Sequence, residues 1–190
     1  MKTGLNGVTE NTPKNILFGA GTIHKGLKYS GSVWNFAETL VGATSGGSKL
    51  SIKPEIKNID VDGAMVKTKG LTVKTGEEAT MEVNLIEMTK EIIMASTIGK
   101  AGTSADSTYD AIVSKGAIEE GDYWENIAFV GQTLDGRNVI AILENALCTS
   151  GFENEGKNKE GSIGKYTFES HAELNSNLDT LPWTIYYPKN

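Results

Sequence analysis

Two histidines, one cysteine and a few glycine-rich stretches are the residues of this 190-residue chain whose types could support catalysis or ligand binding. His24, His171 and Cys148 could supply three metal ligands, but they lie far apart and none has a ligand-type neighbour at the close spacing of structural zinc sites. Exposed side chains are therefore expected for both histidines. A buried thiol is expected for Cys148, which follows the apolar run 140–147. The stretch from Gly42 to Lys49 looks like a phosphate loop, yet Ser48 stands where a lysine must follow Gly47. The reach of that lysine to the phosphates is what such a loop is for, so a shift of one position removes the function. Gly19-Ala20-Gly21 opens like a dinucleotide fingerprint, but His24 takes the place of the third glycine and no βαβ pattern surrounds it. Asp60, Asp62 and Gly63 imitate part of a calcium loop. Its last ligand position falls on Leu71 instead of a bidentate glutamate, so a turn is expected there. No Gly-x-Ser-x-Gly elbow is present. The adjacent pairs Glu77-Glu78 and Glu119-Glu120 would point to opposite faces of a strand and not converge on a substrate. The residues offer no catalytic constellation, metal site or cofactor site, and no enzymatic activity is expected.

The bulk composition agrees with a scaffold. Hydrophobic residues make up 38% and charged residues 22%, a balance that folds around a core. The net charge of -6 repels phosphate and argues against a tight grip on nucleic acid. Trp183, Tyr186 and Tyr187, with Lys189 nearby, could stack single-stranded bases, but the positive funnel that accompanies such platforms is missing. Packing in a core or a subunit interface is the expected use of these rings. A single cysteine excludes an intrachain disulfide. The N-terminus carries no apolar signal region, and no apolar run approaches the roughly 18–20 residues of a membrane helix. The expectation is one domain over 1–190, with a flexible N-terminal arm over about 1–15, folded in a cytoplasm and free of membrane.

The elements that would position these residues are mostly strands. Residues 32–40 read as a strand carrying Val33, Trp34 and Phe36, and 42–48 as a flexible glycine-serine loop. Residues 49–59 alternate, with Pro54 arguing for a sheet edge or a break. The clearest strand is 79–88, where Met81, Val83 and Leu85 share one face and Thr80, Glu82 and Asn84 the other. Thr89 is placed to cap a short helix over 90–98, followed by a loop over 99–107. A hairpin follows: strand 124–132, an Asp135-Gly136 turn, and a return strand 138–146 that is apolar on both faces and therefore central. A charged loop spans 153–164, Tyr166 and Phe168 alternate with polar neighbours, and 183–187 closes the chain as a last strand. No internal repeat of about 20–50 residues is evident. The sum is a mainly β fold, a β-sandwich or partly closed barrel with one short α-helix.

The order of these phrases resembles a known family. An aromatic strand beginning at Trp34 leads to Gly42-Ala43-Thr44-Ser45-Gly46-Gly47-Ser48. Ile59-Asp60-Val61-Asp62-Gly63-Ala64 comes next, then Val66-Lys67-Thr68-Lys69-Gly70-Leu71 and an alternating strand ending Glu87-Met88-Thr89. This arrangement is similar to the major tail tube proteins of phages and prophages of Gram-positive bacteria. Pro13-Lys14-Asn15-Ile16-Leu17-Phe18-Gly19-Ala20-Gly21 and the hairpin around Asn126-Ile127-Ala128-Phe129-Val130-Gly131 and Val139-Ile140-Ala141-Ile142-Leu143 extend it over roughly 13–187.

The resemblance implies a structural subunit that forms hexameric rings and stacks them into a tube for DNA ejection. It implies a tail tube-like fold, an inner barrel shared between subunits, an outer helix and loops that lock ring to ring. Its partners would be further copies of itself, the tape measure, the tail terminator and the distal tail protein, with DNA passing through without specific binding. The location would be the virion tail, after assembly in the bacterial host cytoplasm. Two alternatives stand beside it: the inner tube of a phage tail-like bacteriocin or secretion device, and a carbohydrate-binding β-sandwich. For the tube, an acidic lining would keep phosphates sliding. Glu82 and Asn84 are the candidate lumen residues, with outer solvent as their other possible surroundings. Thr44, Ser45, Ser48, Lys49, Lys157 and Lys159 are the candidate ring-stacking or interface residues, on loops expected to order on stacking.

Overall fold

The computed structural model describes residues 7–156 and 158–189. Along the chain these form α1 Thr12–Asn15, β1 Leu17–Lys25, β2 Tyr29–Ser30, β3 Val33–Trp34, α2 Phe36–Thr39, β4 Thr44–Asn58 and β5 Thr72–Leu85. There follow α3 Lys90–Thr97, β6 Gly99–Gly102, β7 Ala111–Ser114, β8 Trp124–Thr133, β9 Asn138–Cys148, β10 Gly164–Ser170 and β11 Trp183–Tyr186. Seven strands make one antiparallel sheet in the order β1-β8-β9-β10-β5-β4, with β11 beside β9. The fold is mainly β, as its alternating sequence predicts.

Alternation decides what faces inward. On β5, Met81, Val83 and Leu85 are buried while Glu82 between them is exposed. They meet Tyr166 and Phe168 of β10, Leu143 of β9, Ile127 of β8 and Ile23 of β1 in a single core. Burying each such side chain contributes about 1.5–3 kcal/mol. β9 is the central strand its two apolar faces predict. β8 lies along one edge, and the other edge is shared by β11 at residues 140–143 and β10 at residues 146–148. Asn145, with φ 47°, sits at the changeover. Its kink lets Leu143 and Ala146, three residues apart, both face the core. The sheet bends until its first strand meets the segment leading into β4: the Val41 amide donates to the Ile23 carbonyl at 2.9 Å, and His24 forms a β-bridge with Leu40. The result is a partly closed barrel.

α3 plugs one end. The Thr89 hydroxyl accepts from the Ile92 amide at 3.3 Å, as the capping pattern predicts, and Ile92 and Ala95 reach the core. A second apolar cluster covers the outer face of β8 and β9, where Trp34 and Phe36 pack over Leu27, Ala128, Ile140 and Ile142. Buried Asn126 fixes this cover, accepting from the Leu27 amide at 2.9 Å and donating to the Leu27 carbonyl at 3.2 Å.

Several expectations change. Of the strand expected over 32–40, Val33–Trp34 is strand and Leu40 an isolated bridge residue. The Asn35 side chain accepts from the Lys28 amide and its carbonyl accepts the Thr39 hydroxyl, which winds 36–39 into a helical turn. α1 and α2 therefore add two single turns to the one helix expected. The flexible loop over 42–48 is instead the start of β4 from Thr44. Gly46 and Gly47, at φ 85° and 82°, supply a bulge there. The strand expected over 79–88 begins earlier, at Thr72, and ends at Leu85. The loop expected over 99–107 begins as β6, which pairs with β7. Pro54 does lie on an edge strand, β4.

The hairpin turn after β8 also ties down the chain ends. Arg137 bonds Asp135 at 2.8 Å and donates to the carbonyls of Lys189 at 3.0 Å and Lys14 at 3.2 Å. The Tyr187 hydroxyl donates to the Asn15 side chain at 2.9 Å. Of the arm expected over about 1–15, residues 1–6 lie outside the described residues, and its far end is pinned here. Arg137→Ala is expected to lower stability by about 1–2 kcal/mol. In hydrogen exchange, the segments 8–16 and 187–189 should lose protection while β9 keeps it.

Candidate functional site

The feature that stands out from the barrel is an arm. β10 pairs with β5 only over residues 80–85, and β4 is the sheet edge. Among the described residues, 53–58 and 72–78 therefore have only each other as ladder partners, carrying the loop 59–71 away from the core. The ribbon is held by the ladder, by Thr72 donating to Asn58 at 2.8 Å and by the Ile59 amide donating to Leu71 at 2.8 Å. At its base Glu77 pairs with Lys74 at 2.9 Å and accepts from the Leu181 amide. Lys74 is the main cause of a Glu77 carboxyl held below the usual carboxylate range.

The arm carries apolar side chains into solvent. Met65 is 98% exposed and Val66 78%, with Ile56, Ile59 and Val61 at least half exposed. A shallow pocket of about 190 Å³ opens beside them. An isolated two-stranded ribbon is marginal in water, and clustered exposed apolar residues mark an interaction surface. Sequence reasoning missed this arm. Its signal was the absence of an apolar partner for Met65 and Val66, which lie outside any alternating run.

The candidate lumen residues lie on the polar face of β4, β5 and β10. Opposite Glu82 stand Lys49 on β4 and Thr167 on β10; opposite Asn84 stands Lys165. Lys49 pairs with Glu82 at 2.5 Å, and Asn84 donates to the Gly47 carbonyl at 3.0 Å. Further along, Lys53 faces Glu78 and Ser51 faces Thr80. The face expected to be acidic is thus charge-mixed, because Glu78 and Glu82 of β5 each have a lysine opposite on β4.

The candidate stacking residues divide. Thr44, Ser45, Ser48 and Lys49 belong to β4, so the loop expected to order on stacking is ladder already, and Lys49 is engaged by Glu82. Lys159 lies exposed in a turn of the charged loop, with φ 65°. Lys157 lies outside the described residues.

The groups considered for chemistry are dispersed. His24 is buried, contrary to the expectation of exposure, with its ring nitrogens at 2.8 Å from the Thr22 hydroxyl and 3.0 Å from that of Thr39. Its burial comes from residues 35–41 folding across β1, which no local pattern announces. His171 is half-buried with its ring edge-on to Tyr123. Cys148 is buried as expected, and burial pushes its thiol up. Among the described residues, no three His, Cys, Asp or Glu side chains are grouped to hold a metal. Glu119 is engaged by Lys115 and caps the 3-10 turn Glu120–Asp122. Gly19 and Gly21 form a bulge in β1, not a helix-opening loop. Trp183 packs against the main core, and Tyr186 meets Trp34 at 70°, with Tyr29 meeting Trp34 at 55°. Trp34 also stacks on Phe36 at 21°, so these rings are engaged in the cover over β8 and β9.

Comparison with protein-family models and with curated proteins finds no match to this chain.

Proposed function

We propose that this protein is a self-assembling structural subunit of the phage tail tube kind, without enzymatic activity, that stacks in rings around a conduit for DNA. The observation that carries the reading is the arm: a two-stranded ribbon whose apolar tip is left exposed by the described residues. Such a tip is stabilised by insertion against another copy, and head-to-tail contacts of this kind close into rings or continue as tubes. The resemblance of residues 13–187 to tail tube proteins supports the same reading.

The polar face of β4, β5 and β10 suits a conduit in a different way from an acidic lining. Lys49, paired with Glu82, has little left to offer a phosphate, and the mixed charge of the face gives a duplex no continuous positive track to bind. The virion tail is the proposed location, with tape measure, terminator and distal tail proteins as neighbours.

The buried single cysteine makes a direct test available. Met65→Cys places a reactive thiol on the arm tip while Cys148 stays shielded. A thiol-linked photo-crosslinker at residue 65 is expected to give a ladder of homo-multimers on illumination. Monomers alone, at concentrations where the wild-type chain sediments as multimers, would count against the arm as the contact.

A further inference from the structure

The barrel closes at a seam held by one buried histidine. His24 lies on β1 opposite Ala128 of β8 and bridges Leu40 through its backbone. Its ring packs 5.7 Å from that of Phe36, and its side chain reaches Thr39, the buried residue of α2. The hydrogen-bond directions accommodate a neutral ring. Thr39 donates its one hydroxyl proton to the Asn35 carbonyl at 2.9 Å, so it can only accept from His24 Nδ1–H. In the neutral ring Nε2 then accepts from the Thr22 hydroxyl. The site is satisfied by a neutral imidazole.

We propose that His24 is an acid-sensitive latch: neutral, it pins residues 35–41 across β1 and over the outer face of β8 and β9, and protonated, it releases them. A second ring proton would turn the Thr22 hydroxyl away from Nε2 and place a positive charge beneath the cover. Among the described residues, the charges nearby are engaged or exposed. Lys25, next on β1, is engaged by Glu91 of α3. Glu38 of α2 is exposed, β8 presents Ala128 opposite the ring, and Glu125 is paired with Lys28. Burial holds the imidazole below its ordinary value, offset in part by the Phe36 carbonyl.

The direction of the effect follows. In the opened segment the ring meets water and takes up a proton near pH 6.5, while the closed form still resists it. Below that pH the open state binds more protons, so the opening equilibrium grows by up to about tenfold per pH unit, until the closed form protonates as well. Opening uncovers Ala128, Ile140 and Ile142. This inference rests on the seam alone and does not depend on the assembly reading.

The test is hydrogen exchange of the full chain between pH 7.5 and 5, corrected for intrinsic rates, on wild type and His24→Gln. Protection at 35–41 should fall about tenfold or more in wild type while β9 holds, and should stay flat in the variant. Flat protection in wild type, an equal fall in the variant, or an equal fall in β9 overturns the latch. If His24→Gln does not fold, a wild-type ¹⁵N-imidazole titration decides. A midpoint below 6.5 with the Val41 amide losing protection in step supports it; a midpoint at or above 6.5, or an unmoved Val41, overturns it.

Discussion

Met65→Asp is expected to abolish multimer formation under conditions in which the wild-type chain assembles, with the fold left intact. Met65 is 98% exposed, so its replacement removes nothing from the core. Burying a methionine against a partner contributes about 1.5–3 kcal/mol, and a carboxylate there would have to be desolvated without a partner. Each 1.4 kcal/mol is about tenfold in affinity, so one contact should weaken by about tenfold to a hundredfold, and the loss repeats at every subunit. Sedimentation velocity across a concentration series reads the assembly, and thermal melting reads the fold. Met65→Leu should assemble like wild type because it conserves apolar volume. Met65→Asp assembling at wild-type concentrations would remove the arm tip from the interface.

Gly21→Ala is expected to destabilise the subunit far more than Gly19→Ala, although the two glycines sit two residues apart in one bulge. Both have positive φ, 69° for Gly21 and 88° for Gly19. A Cβ at Gly19 meets open space. At Gly21 it would stand 2.3 Å from the Phe129 ring and 2.9 Å from the Val130 carbonyl oxygen. Backbone strain alone is worth about 1 kcal/mol, which is the expectation for Gly19→Ala. Adding the collision with a packed ring and a ladder carbonyl raises Gly21→Ala to about 2–4 kcal/mol. Urea unfolding followed by tryptophan fluorescence measures both. Equal losses would mean that the bulge relaxes away from β8.

These two residues also show where the sequence was readable. Gly19-Ala20-Gly21 fails as a cofactor loop on pattern alone. Its actual use, bringing β1 close over Phe129, depends on the strand lying opposite and leaves no local mark. What was legible was local: the Met81-Val83-Leu85 alternation, the Thr89 cap, the Asp135-Gly136 turn and the apolar β9 each depend on neighbours in sequence. What was not legible depends on distant partners. Residues 49–59 alternate like any half-buried strand, and nothing in them says that β10 stops short and leaves the outer half as an arm. Gly46 and Gly47 carry a loop composition, yet the ladder with β5 absorbs them as a bulge. His24 is buried only because Asn35 and Thr39 wind the following segment across it. Glu82 was correctly placed on the wet face, but its neutralisation by Lys49 depends on a register that only the fold sets.

Self-assembly into a hollow tube is the central claim, and electron microscopy of the purified chain across concentration, alone and after prolonged incubation, tests it most directly. Rings or stacked tubes with a lumen wide enough for duplex DNA, about 20 Å or twice the width of an α-helix, are expected. Particles that stay monomeric at every concentration, or that associate without a central channel, would contradict it.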